Sequence, residues 1–374
     1  MEGGAVTSNA RQRRLDAEIS ALNFPIAVQT VAQDQNQVKV VAKADIQDGQ
    51  VVATEAPFLL TVSWCKRQQV CAHCLRSNYD PLPYTCSKCG ALSWCSQACL
   101  DAATLTHTSY ECDALSQWQS NGTPEIDVAD LILQAIRLLA YNYLGTQVDV
   151  FEQSTVLTAK FSCYRERLLG MPRDSRTGDA IRRAASVALQ VVDFSIRIPF
   201  SELCQILDRH QCNVYGVSGP GREDIALASF VGLFHLFNHS CAPNLVFDSH
   251  PRLAPSSPHH PPVFQLIAFG NVKAGEELTH CYTSCADGPA KRRATLLDHY
   301  GFVCVCRRCS LSDPLEEMEV ARPFTETRCC PFIECGSGLG VLLAPDSFEC
   351  DLDGESYSDC SSLRCVHCTR RWAF

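Results

Sequence analysis

Three stretches decide the fold. Residues 238–244 read Asn238-His239-Ser240-Cys241-Ala242-Pro243-Asn244, residues 275–282 read Gly275-Glu276-Glu277-Leu278-Thr279-His280-Cys281-Tyr282, and residues 300–309 read Tyr300-Gly301-Phe302-Val303-Cys304-Val305-Cys306-Arg307-Arg308-Cys309. The last stretch is a C-x-C-x2-C run, three metal-ligating thiols short of a fourth. Cys241 is the upstream candidate, set among polar, turn-forming neighbours. A metal held by Cys241, Cys304, Cys306 and Cys309 ties together positions more than sixty residues apart. It also clamps the intervening chain beside the Asn-His-Ser-Cys segment. Taken singly, Asn238 and His239 read as turn residues and Tyr282 and Tyr300 as core tyrosines. Their joint order argues for a site.

Working outward, 24 of the 374 residues are cysteine. Disulfides and metal sites compete as explanations. The N-terminal residues show no apolar signal region, which points to a reducing compartment where disulfides are rare. Spacing supports metal. Cys71-x2-Cys74, Cys86-x2-Cys89, Cys95-x3-Cys99 and His107-x4-Cys112 supply four ligand pairs. A C-x2-C turn presents two sulfurs to one ion, and zinc takes four such ligands in a tetrahedron. Eight ligands make two closed, structural sites, one of four cysteines and one of three cysteines and a histidine. The pairs can interleave or run in sequence.

Residues 71–112 resemble a MYND zinc finger, whose family uses interleaved zinc ions and serves protein contacts. Four residues separate His107 from Cys112, where three are usual. The three stretches quoted first resemble the SET domain of protein-lysine methyltransferases, specifically the SET-and-MYND family. Residues 40–57 resemble the first SET strands, and the finger then splits the domain. The resemblance implies an α+β fold: a β-rich SET domain with an inserted MYND finger, a helical insert, and a cysteine-rich post-SET segment. It implies S-adenosylmethionine as cofactor, bound by Asn238, His239, Tyr282 and Phe302, with Asn213 as a further contact through a local Cys212-Asn213 match. Tyr282 and Tyr300 are the implied residues of the methyl-transfer site and lysine channel. The third zinc falls to Cys241, Cys304, Cys306 and Cys309.

This reading divides the chain into a flexible tail at 1–23, the start of the SET domain at 24–70, and the finger at 71–112. A helical insert follows at 113–212, then core SET at 213–285, post-SET at 286–310 and a cysteine-rich segment at 311–374. Within the insert, Thr123-Pro124-Glu125 reads as a helix start. Val128, Leu131, Ile132, Ala135, Leu138 and Leu139 form a helical stripe. Ile181, Ala184, Ala185, Ala188, Val191 and Val192 form a second. Ser201 is the expected cap of a third helix, running to about His210. The Pro/Ser/His-rich stretch from Asp248 to Val263 reads as a surface insertion, and His259 and His260 as exposed loop residues. Arg11, Arg13 and Arg14 belong to the solvated tail.

Two features depart from the family pattern. The usual Gly-x-Gly of the first SET strand falls on Gln37-Val38-Lys39, and glycine is what permits close backbone approach to a ligand. His235 occupies a position often held by serine. The alternative reading is a catalytically weak or inactive SET/MYND zinc-binding adaptor in transcriptional regulation. At the C-terminus, in place of a helical domain, Cys330, Cys335, Cys365 and Cys368 suggest a fourth zinc in a ribbon-like tail, with Cys329 competing for a place.

Hydrophobic residues make up 46% and charged residues 20%, so the chain builds a core. The net charge is −9. A three-thiolate, one-imidazole zinc site adds one negative charge and a four-thiolate site two, so three loaded sites bring the total to about −14. Such a surface opposes general nucleic-acid or anionic-membrane binding and attracts a basic partner. No apolar run reaches membrane length. The expected partners are a lysine-bearing protein, histone tails included, and proteins bound by the finger. The expected location is nucleus and cytoplasm.

Overall fold

The computed structural model describes residues 24–31, 34–78, 80–105, 107, 109–121, 126–146, 178–219, 224–252, 262–324, 328, 339–342, 362–366 and 371–373. The expected tail at 1–23, the helix start at Thr123, the loop histidines 259 and 260, and Cys329, Cys330, Cys335 and Cys368 lie outside these residues.

The N-terminal alternation becomes a hairpin. Ile26–Val31 pairs antiparallel with Asp34–Ala42, Val28 opposite Val40. Gly49 then turns the chain in the left-handed region (φ 81°), where the absence of a Cβ removes the steric cost. Val51–Glu55 joins an antiparallel sheet beside Val263–Ala268, which pairs in turn with Leu245–Arg252. A second sheet orders Leu59–Val62, Asp224–Ser229 and Val214–Ser218. Both bury the alternating apolar residues of their strands in one large core. The strand Leu245–Arg252 continues four residues past Asp248, where the surface insertion was expected to begin.

Four helices cover this core. The helix Ala129–Thr146 is the central one. Its expected stripe is buried apart from half-buried Leu131, and Leu133, Gln134, Ile136, Arg137 and Ala140 are buried too. The reason is its position: it packs on the helices Ser109–Ser120, Asp179–Val191 and Phe200–Gln211 and on the strand Leu59–Val62. A helix enclosed on several sides buries more than one face. The third helix begins two residues earlier than expected. Pro199 is its N-cap and Ser201 lies inside the first turn, with no side-chain cap bond. Among the described residues, no helix is long and apolar enough to cross a membrane.

Residues 238–239 pair with residues 279–280 in parallel, Asn238 opposite Thr279 and His239 opposite His280. Parallel neighbours need a crossover connection, and here two long strands supply it. The Asn-His segment and the Glu-Glu-Leu segment, remote in sequence, thus lie side by side.

The C-terminal segment adds a three-stranded antiparallel sheet, Gly340–Leu342, Ser362–Cys365 and Arg371–Ala373. Two ion pairs hold this end of the chain to the core: Arg364 to buried Asp248 at 2.7 Å, and Arg328 to Asp48 at 2.8 Å. Arg328 also lies over the Phe269 ring, 4.0 Å from its centroid.

Candidate functional site

Three quartets of metal-ligating side chains are assembled among the described residues. Cys71, Cys74, Cys95 and Cys99 form one, Cys86, Cys89, His107 and Cys112 the second, and Cys241, Cys304, Cys306 and Cys309 the third. In each, the ligand atoms lie within 4.8 Å of one another. A zinc–sulfur bond of about 2.3 Å gives a tetrahedral edge of about 3.8 Å. The measured separations fit: Cys74 to Cys95 3.5 Å, Cys95 to Cys99 3.7 Å, Cys86 to Cys112 3.6 Å and Cys241 to Cys304 3.9 Å. The finger's ligand pairs interleave, which spacing alone left open.

Both C-x2-C turns of the finger close the same way. Leu75 N–H donates to Cys71 O and Gly90 N–H to Cys86 O, and both residues adopt positive φ, 61° and 62°. Hydrogen bonding from Cys74 pulls the Cys71 thiol down to about 5, despite burial. The Cys241 thiol likewise pulls Cys306 down to about 3. Easy ionisation suits a metal ligand, because the thiolate is the form that binds.

The extra residue before Cys112 is absorbed because His107 precedes the helix Ser109–Ser120 while Cys112 sits in its first turn. His107 turns Nε2 toward Cys89, 3.6 Å away, and Nδ1 toward Glu111 at 3.0 Å. The other Glu111 oxygen accepts from Arg137 Nε at 2.7 Å, and Arg137 Nη1 donates to Leu60 O. Burial pushes the Glu111 carboxyl up, but Arg137 and His107 outweigh it and hold it below its ordinary range. A carboxylate on the outer nitrogen fixes a ligand histidine's tautomer and orientation. This chain ties the second zinc site to the central helix and to the strand Leu59–Val62. Glu111 and Arg137 gave no sequence signal, since an acid and a base 26 residues apart carry no spacing rule. Arg137→Ala is expected to cost about 3–5 kcal/mol, because it leaves a buried carboxylate unpaired; a urea melt measures it. Glu111→Gln should weaken zinc retention in the finger about 10- to 100-fold, read by competition with a chromogenic chelator.

The third quartet is joined to the remaining candidate residues through His239. Its Nδ1 accepts from Tyr282 N–H at 3.0 Å, so the ring proton sits on Nε2, 3.2 Å from Cys241 Sγ. Buried Arg308 donates to the carbonyls of Cys241 and Cys285 and pairs with Glu317 at 2.7 Å. Buried Arg292 pairs with the same Glu317 at 3.1 Å. Two guanidiniums beside a four-thiolate site offset its negative charge.

Around that quartet cluster Tyr282, Tyr300 and Phe302. Tyr300 ends the helix Pro289–Tyr300, and Gly301 caps it in the left-handed conformation (φ 73°). That turn brings Tyr300 and Phe302 back to the same side. The Tyr282 and Tyr300 ring centroids are 5.0 Å apart, and Phe302 lies 5.9 Å from His239. The Tyr282 hydroxyl donates to Phe237 O at 2.8 Å and the Tyr300 hydroxyl to Tyr282 O at 3.1 Å. Burial pushes the Tyr300 phenol up to about 12 and holds Tyr282 above the ordinary range. Both are therefore protonated at neutral pH, with lone pairs left to accept.

Asn238 donates from Nδ2 to Val38 O at 3.0 Å and to Glu277 Oε1 at 2.9 Å. Its amide oxygen remains as an acceptor. Asn213 instead caps a helix, donating to Arg209 O at 2.8 Å. Neighbouring Cys212 donates to His299 O at 2.9 Å, which ties this segment to the turn carrying Tyr300. Tyr215 and His280 complete the aromatic wall. Their rings stack at 5.5 Å, and His280 lies 4.8 Å from Tyr282. The Tyr215 hydroxyl donates to Phe234 O at 3.1 Å, so His280 Nε2, 3.2 Å away, donates to it. Burial pulls His280 down to about 3, so it is neutral. Its position in the Thr-His-Cys-Tyr run carried a signal, adjacency to Tyr282, that went unused; Tyr215 offered only its place two residues after Asn213.

The glycine-free stretch lies in a strand: residues 38–42 pair with residues 26–30 of the hairpin, the register shifts beyond Val38, and Val38 and Lys39 are half-buried. The C-terminal ribbon stands differently. Cys365 is buried in its sheet, while the other three expected ligands lie outside the described residues.

A family model described as the SET domain matches residues 37–283, well over half of the chain. The chain belongs to the SET-domain family. Within it, the chain is 25% identical over 296 residues to the histone-lysine N-methyltransferase SMYD3 of Mus musculus, covering 77% of this chain and 62% of that protein. It is 26% identical over 295 residues to the histone-lysine N-methyltransferase ASHR2 of Arabidopsis thaliana, covering 75% and 71%. A SET and MYND domain-containing protein of Dictyostelium discoideum is 23% identical over 313 residues, covering 74% and 58%. This SET-domain chain thus spans about three-fifths of the length of the first of these relatives. A solved structure of the SET domain of LSMT bound to MeLysine and AdoHcy aligns with a TM-score of 0.40 at 12% identity, over 78% of this chain and 57% of that one.

Proposed function

We propose that this SET-domain protein is a protein-lysine N-methyltransferase that uses S-adenosylmethionine, with a MYND-like finger for protein contacts. The observation that carries the reading is the pair of phenols, Tyr282 and Tyr300, with ring centroids 5.0 Å apart, Tyr282 directly following the parallel pairing of Asn238-His239 with Thr279-His280. Its histone-lysine N-methyltransferase relatives point to the same reaction and to histones as a substrate class.

S-adenosylmethionine supplies an electrophilic methyl group when bound. Asn238, with its amide oxygen still able to accept, and the faces of His239 and Phe302 fit the ammonium and sulfonium charges of such a molecule. The chain's own residues then prepare the lysine. The amine has to be neutral, desolvated and aligned, so positioning dominates. The phenol oxygens of Tyr282 and Tyr300 spend their protons on main-chain carbonyls and keep lone pairs for the amine N–H groups. Both nitrogens of His239 are already engaged, so the lysine sheds its proton to solvent before transfer.

Calorimetric titration of zinc-replete protein with S-adenosylmethionine tests the reading. Micromolar binding is expected, lost at least tenfold in Asn238→Ala, together with methyl transfer to a lysine-bearing histone or other protein. The adaptor reading has one feature in its favour, the glycine-free strand where a Gly-x-Gly is usual. Folded, zinc-loaded protein that binds no cofactor would establish it and sink the enzyme reading.

A further inference from the structure

We propose that Glu55 is a positioning residue for the methyl-transfer site, acting through the main chain of residues 231–237. The proposal rests on the methyltransferase reading above. Glu55 ends the strand Val51–Glu55, far in sequence from both tyrosines. Its Oε1 accepts the N–H groups of Val231 at 3.2 Å and Gly232 at 2.5 Å. Its Oε2 accepts those of Leu233 at 2.7 Å and Phe234 at 3.0 Å. Four consecutive amides thus fill the acceptor sites of a single carboxylate. Burial pushes this carboxyl above its ordinary range, while the four amides pull it back. The carboxylate sits close against the loop: a Cβ on Gly232 would stand 2.6 Å from Oε1 and 2.8 Å from the carboxyl carbon, so Gly232→Ala has to displace it.

The anchored segment holds the acceptors that aim the site's phenols. Phe234 O receives the Tyr215 hydroxyl, and Phe237 O receives that of Tyr282. Tyr215 in turn receives the His280 proton, and His280 packs against Tyr282. Asn238 follows Phe237 directly. Two separate routes to Tyr282 therefore start from the loop that Glu55 holds. An apolar residue at this position would remove the carboxylate that four amides share. A glutamine would accept at one oxygen and present its NH2 to the remaining donors.

The test uses the zinc-replete full chain carrying Glu55→Gln, with Gly232→Ala attacking the contact from the loop side. Glu55→Asp keeps the charge with a shorter reach. Amide hydrogen exchange, cofactor affinity and kcat per cofactor-binding molecule are measured on each. Exchange in Glu55→Gln should quicken about 10-fold or more at 231–234 and also at 237–239 and 280–282. Cofactor affinity should stay within about threefold, while kcat falls about 100-fold, the order expected for a reacting group displaced by about 1 Å. Glu55→Asp should recover part of that loss, and the degree of lysine methylation should shift with the freedom of Tyr282. A mere loop anchor predicts faster exchange confined to 231–234 and an unchanged kcat per binding molecule, and that result overturns the proposal. Should the wild type transfer no methyl group, the methyltransferase reading fails by itself. Exchange at 280–282 still decides whether Glu55 holds Tyr282. Should Glu55→Gln not fold, Glu55→Asp and Gly232→Ala carry the same comparison, and normal exchange at 280–282 in both would overturn the proposal.

Discussion

Stripping zinc from the protein should unfold the finger and dissolve the post-SET turn. A structural zinc site contributes on the order of 10 kcal/mol of folding free energy. The finger has little regular structure to survive the loss: among the described residues, Tyr84–Thr85, Ser93–Trp94 and the helix Gln97–Ala102 are its only strands and α-helix before residue 109. Its second quartet is also the anchor of the His107–Glu111–Arg137 chain, so metal loss there reaches the central helix. The third quartet holds Cys241 beside His239 and hence beside Tyr282. Excess chelator is therefore expected to lower the melting temperature by more than 10 °C and to abolish cofactor binding, with recovery on adding zinc back. At least three zinc equivalents should appear per chain by elemental analysis. A fourth would locate metal in the C-terminal ribbon. An unchanged melt after complete metal removal would show that the quartets are not structural.

Tyr282→Phe carries the second large effect. The ring remains packed against His239, His280 and Tyr300, so the fold should lose only about 1 kcal/mol, the worth of one hydrogen bond. Transfer should fall about 100- to 1,000-fold, the cost of removing one well-placed polar group from a reacting centre. Losing the hydroxyl also frees space near Phe237 O. A residual activity that yields a more highly methylated lysine is the expected companion of the slower rate. Cofactor affinity should be preserved within about threefold. Equal rate and equal methylation degree in mutant and wild type would remove Tyr282 from the transfer site.

Much of this was legible in the sequence. Metal ligands declare themselves because two cysteines two residues apart present their sulfurs to one ion with little help from the rest of the fold. The finger's ligand pairs and the Cys304, Cys306, Cys309 run could be read off for that reason, while Cys241, 63 positions upstream, was a candidate from its polar, turn-forming neighbours. The helical stripes could be read because burial on one face repeats every three to four residues. The stripe at 128–139 understated its burial, since period alone cannot tell that a helix is enclosed by three others. Ser201 misled because a capping residue type is a weak local preference, and Pro199, two residues earlier, already ends the extended chain.

What the sequence by itself determined is the list of groups able to bind metal and the order of the motifs that place this chain in its family. Local covalent spacing sets both. What only the tertiary structure decided is how those groups are held: the interleaving of the finger's ligands, Glu111 and Arg137 behind His107, the His239 tautomer, and Glu55 beneath Phe234 and Phe237. Glu111 with Arg137, His239 with Tyr282 and Glu55 with Phe234 are polar groups satisfied by a partner remote in the chain, the last two 179 positions apart. Burial makes such a partner obligatory, but its identity follows from which strands and helices come together, and that is a property of the folded core.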